Sequence, residues 1–206
     1  MNALPLRRQR GAALLVATCV MLVLLLLGVS AARSALNAEK AARGDRDRQV
    51  ALQAAEAALG DAERDIQGGS EPQSRRAAMF AFGSAIGFVD GCGSGDDNLG
   101  LCRRVAARGI PAWQLARLSE RDSRDVRTIE YGRFTGAAMP YARGPLPARA
   151  PRYIIEQVPY VRAGEDAAKG NVNFYRITAI GFGASDSTRV VLQSYYLKAA
   201  LAADEP

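Results

Sequence analysis

The sequence predicts an α+β protein in which one very long N-terminal helix, apolar in its first half, packs on a C-terminal antiparallel sheet of about four strands. Three observations predict it. Residues 12–32 run for 21 positions without a charge. Residues 33–67 contain no proline and carry an apolar stripe at helical spacing. The last third changes to short β-branched and aromatic runs separated by turn-forming residues. At 206 residues, 49% hydrophobic and 23% charged, the chain has the composition of one folded domain with an appendage.

Arg7, Arg8 and Arg10 open the chain as a basic cluster ahead of the apolar run. The run from Ala12 to Ala32 reaches roughly 30 Å as a helix, the thickness of bilayer hydrocarbon. With positive charge before it and mixed charge after it, the N-terminus is expected in the cytoplasm and everything beyond residue 33 outside. A removable secretory signal is the rival reading, with Val29-Ser30-Ala31 as a small-residue cleavage site. The run is longer than such signals use, and the helical pattern continues past that site.

Leu52, Ala55, Leu59, Ala62 and Ile66 fall at alternating steps of three and four and form one stripe. The helix is expected to run from residue 12 to 67, with its membrane part over 12–32 and its amphipathic part seeking a covering domain. The charged stretch 43–48 interrupts the stripe and is expected to kink or unwind it. Arg43-Gly44-Asp45 there reads as a chance tripeptide on a solvated helix face. Gly68-Gly69-Ser70-Glu71-Pro72 ends the helix and begins a globular head over 68–206.

Residues 73–89, with Met79, Phe80, Phe82, Ile86 and Phe88, read as a short second helix. The following loop is rich in turn formers and carries Cys92 and Cys102. In an oxidising compartment these two pair most simply with each other, which leaves Cys19 free in the apolar helix. Closing so short a loop stabilises by roughly 2 to 3 kcal/mol in the chain-entropy account. A calcium loop built on Asp90, Asp96, Asp97 and Asn98 is the alternative, and its spacing does not fit an EF-hand. Strands are expected over 128–135, 152–158, 173–180 and 189–197, the last two as a hairpin with one face on the helix. Trp113 reads as a core anchor.

Histidine is absent. That excludes Ser-His-Asp and Cys-His catalysis, His-ligated zinc or haem, and an imidazole base. No catalytic, cofactor-binding or metal-ligating set stands out, and the expected protein is not an enzyme. The net charge of +6 owes half its value to the three leading arginines, and no basic stripe with interleaved aromatics points to nucleic acid.

Taken together, several of these residues resemble the type IV pilus minor pilins of the PilX family. They are Arg10-Gly11 before Ala12-Ala13-Leu14, 46–49 running into 53–59 and 61–63, Leu101-Cys102, Tyr131-Gly132 with Thr135-Gly136, 151–156, and 176–179 followed by 190–194. The resemblance spans residues 7–197 and implies the pilin-like form of the fold above. It implies that a prepilin peptidase removes residues 1–11 by cutting between Gly11 and Ala12 and then methylates the Ala12 amine. It further implies an inner-membrane protein with a periplasmic C-terminal domain that later joins a pilus on the cell surface. Its implied partners are other minor pilins, the major pilin and a large tip adhesin. Ordinary pilins carry glutamate at the fifth mature position, where this chain has Val16. A minor pseudopilin of type II secretion and a single-pass anchored periplasmic protein are the alternatives.

Overall fold

The computed structural model describes residues 12–81, 84–104, 109–120, 126–158 and 174–198. Helix α1 runs over Ala12–Gln67 and is followed by α2 (Arg75–Met79), β1 (Leu101–Arg103), α3 (Ala112–Leu115), β2 (Ile129–Glu130), β3 (Arg152–Val158), β4 (Phe174–Phe182) and β5 (Arg189–Leu197). The chain divides into two compact units, one ending at Asp45 and the other, the head, starting at Arg46. The charged stretch 43–48, expected to kink or unwind, is helical throughout. Glu39 and Arg43, one turn apart and 2.5 Å from each other, support the helix there.

In the head the sheet order is β1-β3-β4-β5, with β2 also pairing β3. The sheet is mixed rather than wholly antiparallel, because β1 lies parallel to β3. β2, β4 and β5 make antiparallel pairings. Strand 152–158 has the predicted bounds, as does 189–197, whereas the run 128–135 keeps only two residues as strand. Gly132 and Gly136, both at positive φ, turn the chain there. Of the short helix expected over 73–89, the described residues are helical over Arg75–Met79, with the Ser74 side chain accepting from the Ala77 N–H at its start, and Phe82 lies outside the described residues.

Alternation along the strands builds two layers. Tyr153 and Ile155 of β3, with Tyr175, Ile177 and Ala179 of β4, join Ala58, Ala62 and Ile66 of α1 in one core cluster. Phe80, Phe88 and Tyr175 meet there with ring centroids 5.6–6.0 Å apart. Ile154, Ile180 and Phe182 project to the opposite face and form a second cluster with Cys92, Cys102, Ala112, Ala116 and Leu118. Trp113 packs on that second cluster half-buried. Covered on both faces, β3 and β4 are almost continuously buried, while β5 alternates between exposed and half-buried residues.

Helix α1 ends where Gly68 and Gly69 take positive φ. Gly69 N–H donates to the Arg64 carbonyl and Gly68 N–H to that of Asp65, the paired bonds of a Schellman end. Lys198 Nζ, 2.8 Å from the Ile66 carbonyl, satisfies a further orphan acceptor.

Candidate assembly surfaces

The first surface is the apolar half of α1. Its 18-residue window of highest mean hydropathy reaches 2.9, and none of that window is buried within the chain. Leu14, Val16 and Leu25 are 75, 60 and 67% exposed. The Thr18 hydroxyl donates to the Leu15 carbonyl, so this polar group is satisfied within the helix. Such a face is suited to lipid or to other apolar helices. Ala12 is the first described residue and is helical, and Val16 lies one turn along on the exposed surface. Gly11 and the rest of the expected leader lie outside the described residues. Cys19 is a free thiol on the same segment.

The second surface is the head, and the end of α1 organises it. Asp61 and Asp65, one turn apart, are both fully buried. Asp65 receives two hydrogen bonds from the Arg76 guanidinium, at 3.1 and 2.6 Å, and one from the Tyr153 hydroxyl at 3.4 Å. Arg76 also donates to the carbonyls of Asp97 and Leu99, at 3.0 and 2.8 Å. Its guanidinium lies over the Phe134 and Phe80 rings, 4.1 and 5.1 Å from their centroids. Burial raises the Asp65 carboxyl above its usual range, and its bonds to Arg76 offset part of that rise. Burial likewise pushes the Tyr153 hydroxyl well up. Asp61 accepts from Gly132 N–H at 2.8 Å and from the Thr135 hydroxyl, fastening the 131–136 turn to the helix.

Sequence reasoning missed this pair of carboxylates. Their signal was present, since Asp61 and Asp65 interrupt the very stripe formed by Ala55, Leu59, Ala62 and Ile66. A carboxylate placed on a buried face needs a partner.

Cys92 and Cys102 form a disulfide, the pairing expected of them in an oxidising compartment. Both are buried in the outer core cluster, and the crosslinked loop presents the carbonyls of Asp97 and Leu99 that Arg76 uses. The residues weighed for calcium diverge. Asp90 faces Arg103 at 4.0 Å, Asp96 faces Arg133 at 3.8 Å, and Asn98 caps the Gly95 N–H. Among the described residues no group of three or more acidic or thiol side chains is gathered as a metal site.

At the other end of the hairpin, Asp47 accepts from Ser185 N–H at 3.1 Å, and a hydrogen bond from the Thr188 side chain holds its carboxyl below the usual range. On the outer sheet face Arg176 makes two bonds to the fully buried Glu156, at 2.8 and 2.6 Å.

A helix long and apolar enough in its first half to cross a membrane, leading into a small α+β head, is consistent with a single-pass membrane-anchored pilus component. The family model for the N-terminal region of PilX matches residues 10–59, and the model for the C-terminal region of the type IV pilus assembly protein PilX matches residues 98–198. The chain belongs to the PilX family of type IV pilus minor pilins. That family is a structural component of the pilus, not known as an enzyme. No curated protein and no solved structure matches the chain.

Proposed function

We propose that this minor pilin helps to initiate type IV pilus assembly and stays at or near the pilus tip. The observation that carries the reading is Val16. It lies on the exposed surface of an apolar helix, at the position where filament-forming relatives place a glutamate that neutralises the amine of the subunit above. In an apolar bundle an unpaired charge of either sign is costly. Valine at this position offers nothing to a subunit above. The Ala12 amine can still meet the glutamate of the subunit entering below. This asymmetry suits a first, end position and disfavours repeated incorporation along the shaft.

In this reading a prepilin peptidase cuts after Gly11, whose lack of a side chain leaves the backbone open, and methylates Ala12. The helix holds the protein in the inner membrane with its head in the periplasm. It then leaves lipid for a helix bundle of similar apolarity, at little cost in hydrophobic burial. The working partners are the other minor pilins, the major pilin and a tip adhesin. The missing glutamate also suits a pseudopilin capping a type II secretion filament, and the match to pilus assembly proteins favours the pilus.

Mass analysis of protein sheared from cells tests the processing, with a methylated N-terminus at Ala12 expected. A mature chain starting at Ala32, or a full-length chain in the membrane, overturns it. Loss of surface pili in a strain lacking this protein and its minor-pilin siblings is the expected result for initiation, and normal pilus numbers in that strain reject it.

A further inference from the structure

Strand β5 closes the sheet order, and among the described residues no strand pairs with its outer edge. Its nine residues pair β4 without a bulge from Arg189 to Leu197. At the hairpin, Gly183 N–H donates to the Thr188 carbonyl, which makes 183 and 188 a hydrogen-bonded pair. The antiparallel ladder alternates from there. Val190, Leu192, Ser194 and Tyr196 therefore turn their backbone groups toward β4, while Arg189, Val191, Gln193, Tyr195 and Leu197 turn theirs to the open edge.

Exposed edges are usually blunted by proline, a bulge, an inward charge or a short strand. β5 carries none of these, since 190–197 contains no proline, glycine or charged residue. The five residues whose backbone faces outward also carry the exposed side chains, with Val191 at 48%, Tyr195 at 59% and Leu197 at 44%. Tyr195 stacks on Phe174 at 5.4 Å, which fixes its ring on that face.

The charges at this edge are one-sided. Arg189 begins the strand, and no acidic residue occurs from Ser187 to Lys198. Beside Arg189 and Val191 a groove opens on the outer face, lined also by Trp113, Arg117, Leu118 and Ile180. Glu120 at its rim pairs with Arg117, 3.4 Å away; Arg189 donates its Nε–H to the Asp186 carbonyl at 3.2 Å but pairs with no carboxylate among the described residues, so its guanidinium can meet an incoming one.

We infer that the free edge of β5 accepts an extended strand from a different polypeptide, with apolar side chains at alternate positions and a carboxylate at the Arg189 end. Main-chain bonds to the outward groups of Val191, Gln193 and Tyr195 supply the attachment. The alternate side chains, laid on Val191, Tyr195 and the groove, supply the choice of partner. The inference rests on the sheet edge alone and holds wherever along the filament the chain is placed.

The test places the photoreactive residue p-benzoylphenylalanine at position 195 of the full chain in its own cells. Gln193→Pro removes one outward N–H, whereas Gln193→Ala removes only the side chain. Irradiation is expected to give an adduct with a second, different protein. The crosslinked peptide should alternate apolar residues and carry an acidic one. Gln193→Pro and Arg189→Glu should each lower the adduct at least tenfold, and Gln193→Ala should leave it within twofold of the parent. Resistance of the head to limited proteolysis reports that each variant is folded, and Arg189→Glu decides the matter if Gln193→Pro loses that resistance. No adduct, an adduct at twice the mass of this chain, or an adduct insensitive to Arg189→Glu overturns the inference.

Discussion

Gly181 of β4 lies against the backbone of α1, so that a Cβ at this position would collide with the Ala51 carbonyl and the Ala55 N–H. The helix and sheet approach this closely because Ala51, Ala54, Ala55 and Ala58 line the buried helix face with methyl groups only. Neither obstructing atom belongs to a side chain that could move away. Gly181→Val is therefore expected to destabilise the head by at least about 1 to 3 kcal/mol, the usual range for overpacking. Urea unfolding of the full chain in detergent, followed by the fluorescence of Trp113, measures it. A change below about 0.5 kcal/mol would contradict the packing described.

The Asp65–Arg76 pair makes a second prediction. Arg76→Met leaves a buried carboxylate without its cation and should cost about 3 to 5 kcal/mol. The double variant Asp65→Leu, Arg76→Met removes both charges and should recover most of that loss. A double-mutant cycle in the same unfolding assay reads the coupling, and simple additivity of the two single changes would show that the pair is not coupled.

Asp65 and Asp47 predict opposite responses to acid. The folded pKa of Asp65 is raised above the unfolded value of 3.8, so protonation favours the folded state. Wild type should gain stability relative to Asp65→Asn as pH falls through that raised pKa, with the gain complete below the unfolded value. The folded pKa of Asp47 is lowered, so its contribution is present above 3.8 and is lost as pH falls through the folded pKa. Wild type should lose stability relative to Asp47→Asn in that lower window. Unfolding midpoints of the three proteins from pH 7 to pH 3 give both slopes, and slopes of the same sign would refute the assignment.

The disulfide predicts one reactive thiol. Labelling under denaturing, non-reducing conditions should modify Cys19 alone. Cys102→Ser should lower stability by roughly 2 to 3 kcal/mol, the chain-entropy value for so short a loop. Labelling of all three cysteines in wild type would remove the crosslink from the account.

Long periodic segments were legible in the sequence, and short tertiary ones were not. The stripe from Leu52 to Ile66 and the runs 152–158 and 189–197 each extend over enough residues for the pattern to override local composition. β1 is three residues long and follows directly on a glycine-rich loop. Its pairing is parallel to β3, so only contact with a distant strand defines it. Asp61 and Asp65 show in the sequence only as carboxylates on a buried stripe, and their partners, on α2, β3 and the 131–136 turn, are defined by tertiary contact alone. The expected break at 43–48 failed because Arg43, Asp45, Arg46 and Arg48 are exposed and half-buried Asp47 is held by the 185–188 turn, and charge on an exposed helix face interrupts a stripe without interrupting a helix.

Val16→Glu tests the proposed end position most directly. The substitution restores an acceptor for the amine of a subunit above, on a residue 60% exposed in this chain and without a burial role in the head. An added carboxylate disfavours the bare bilayer by about 2.5 to 3.5 kcal/mol at its centre, but Val16 lies one turn from the start of the helix, where the cost is smaller. The variant should therefore still be processed at Ala12 and remain in the membrane. Immunogold labelling of sheared pili should show wild type at filament ends and the variant also along the shaft. Regular shaft labelling of wild type would reject the end position. Unchanged end labelling of a processed Val16→Glu protein would mean that something other than residue 16 keeps this subunit out of the shaft.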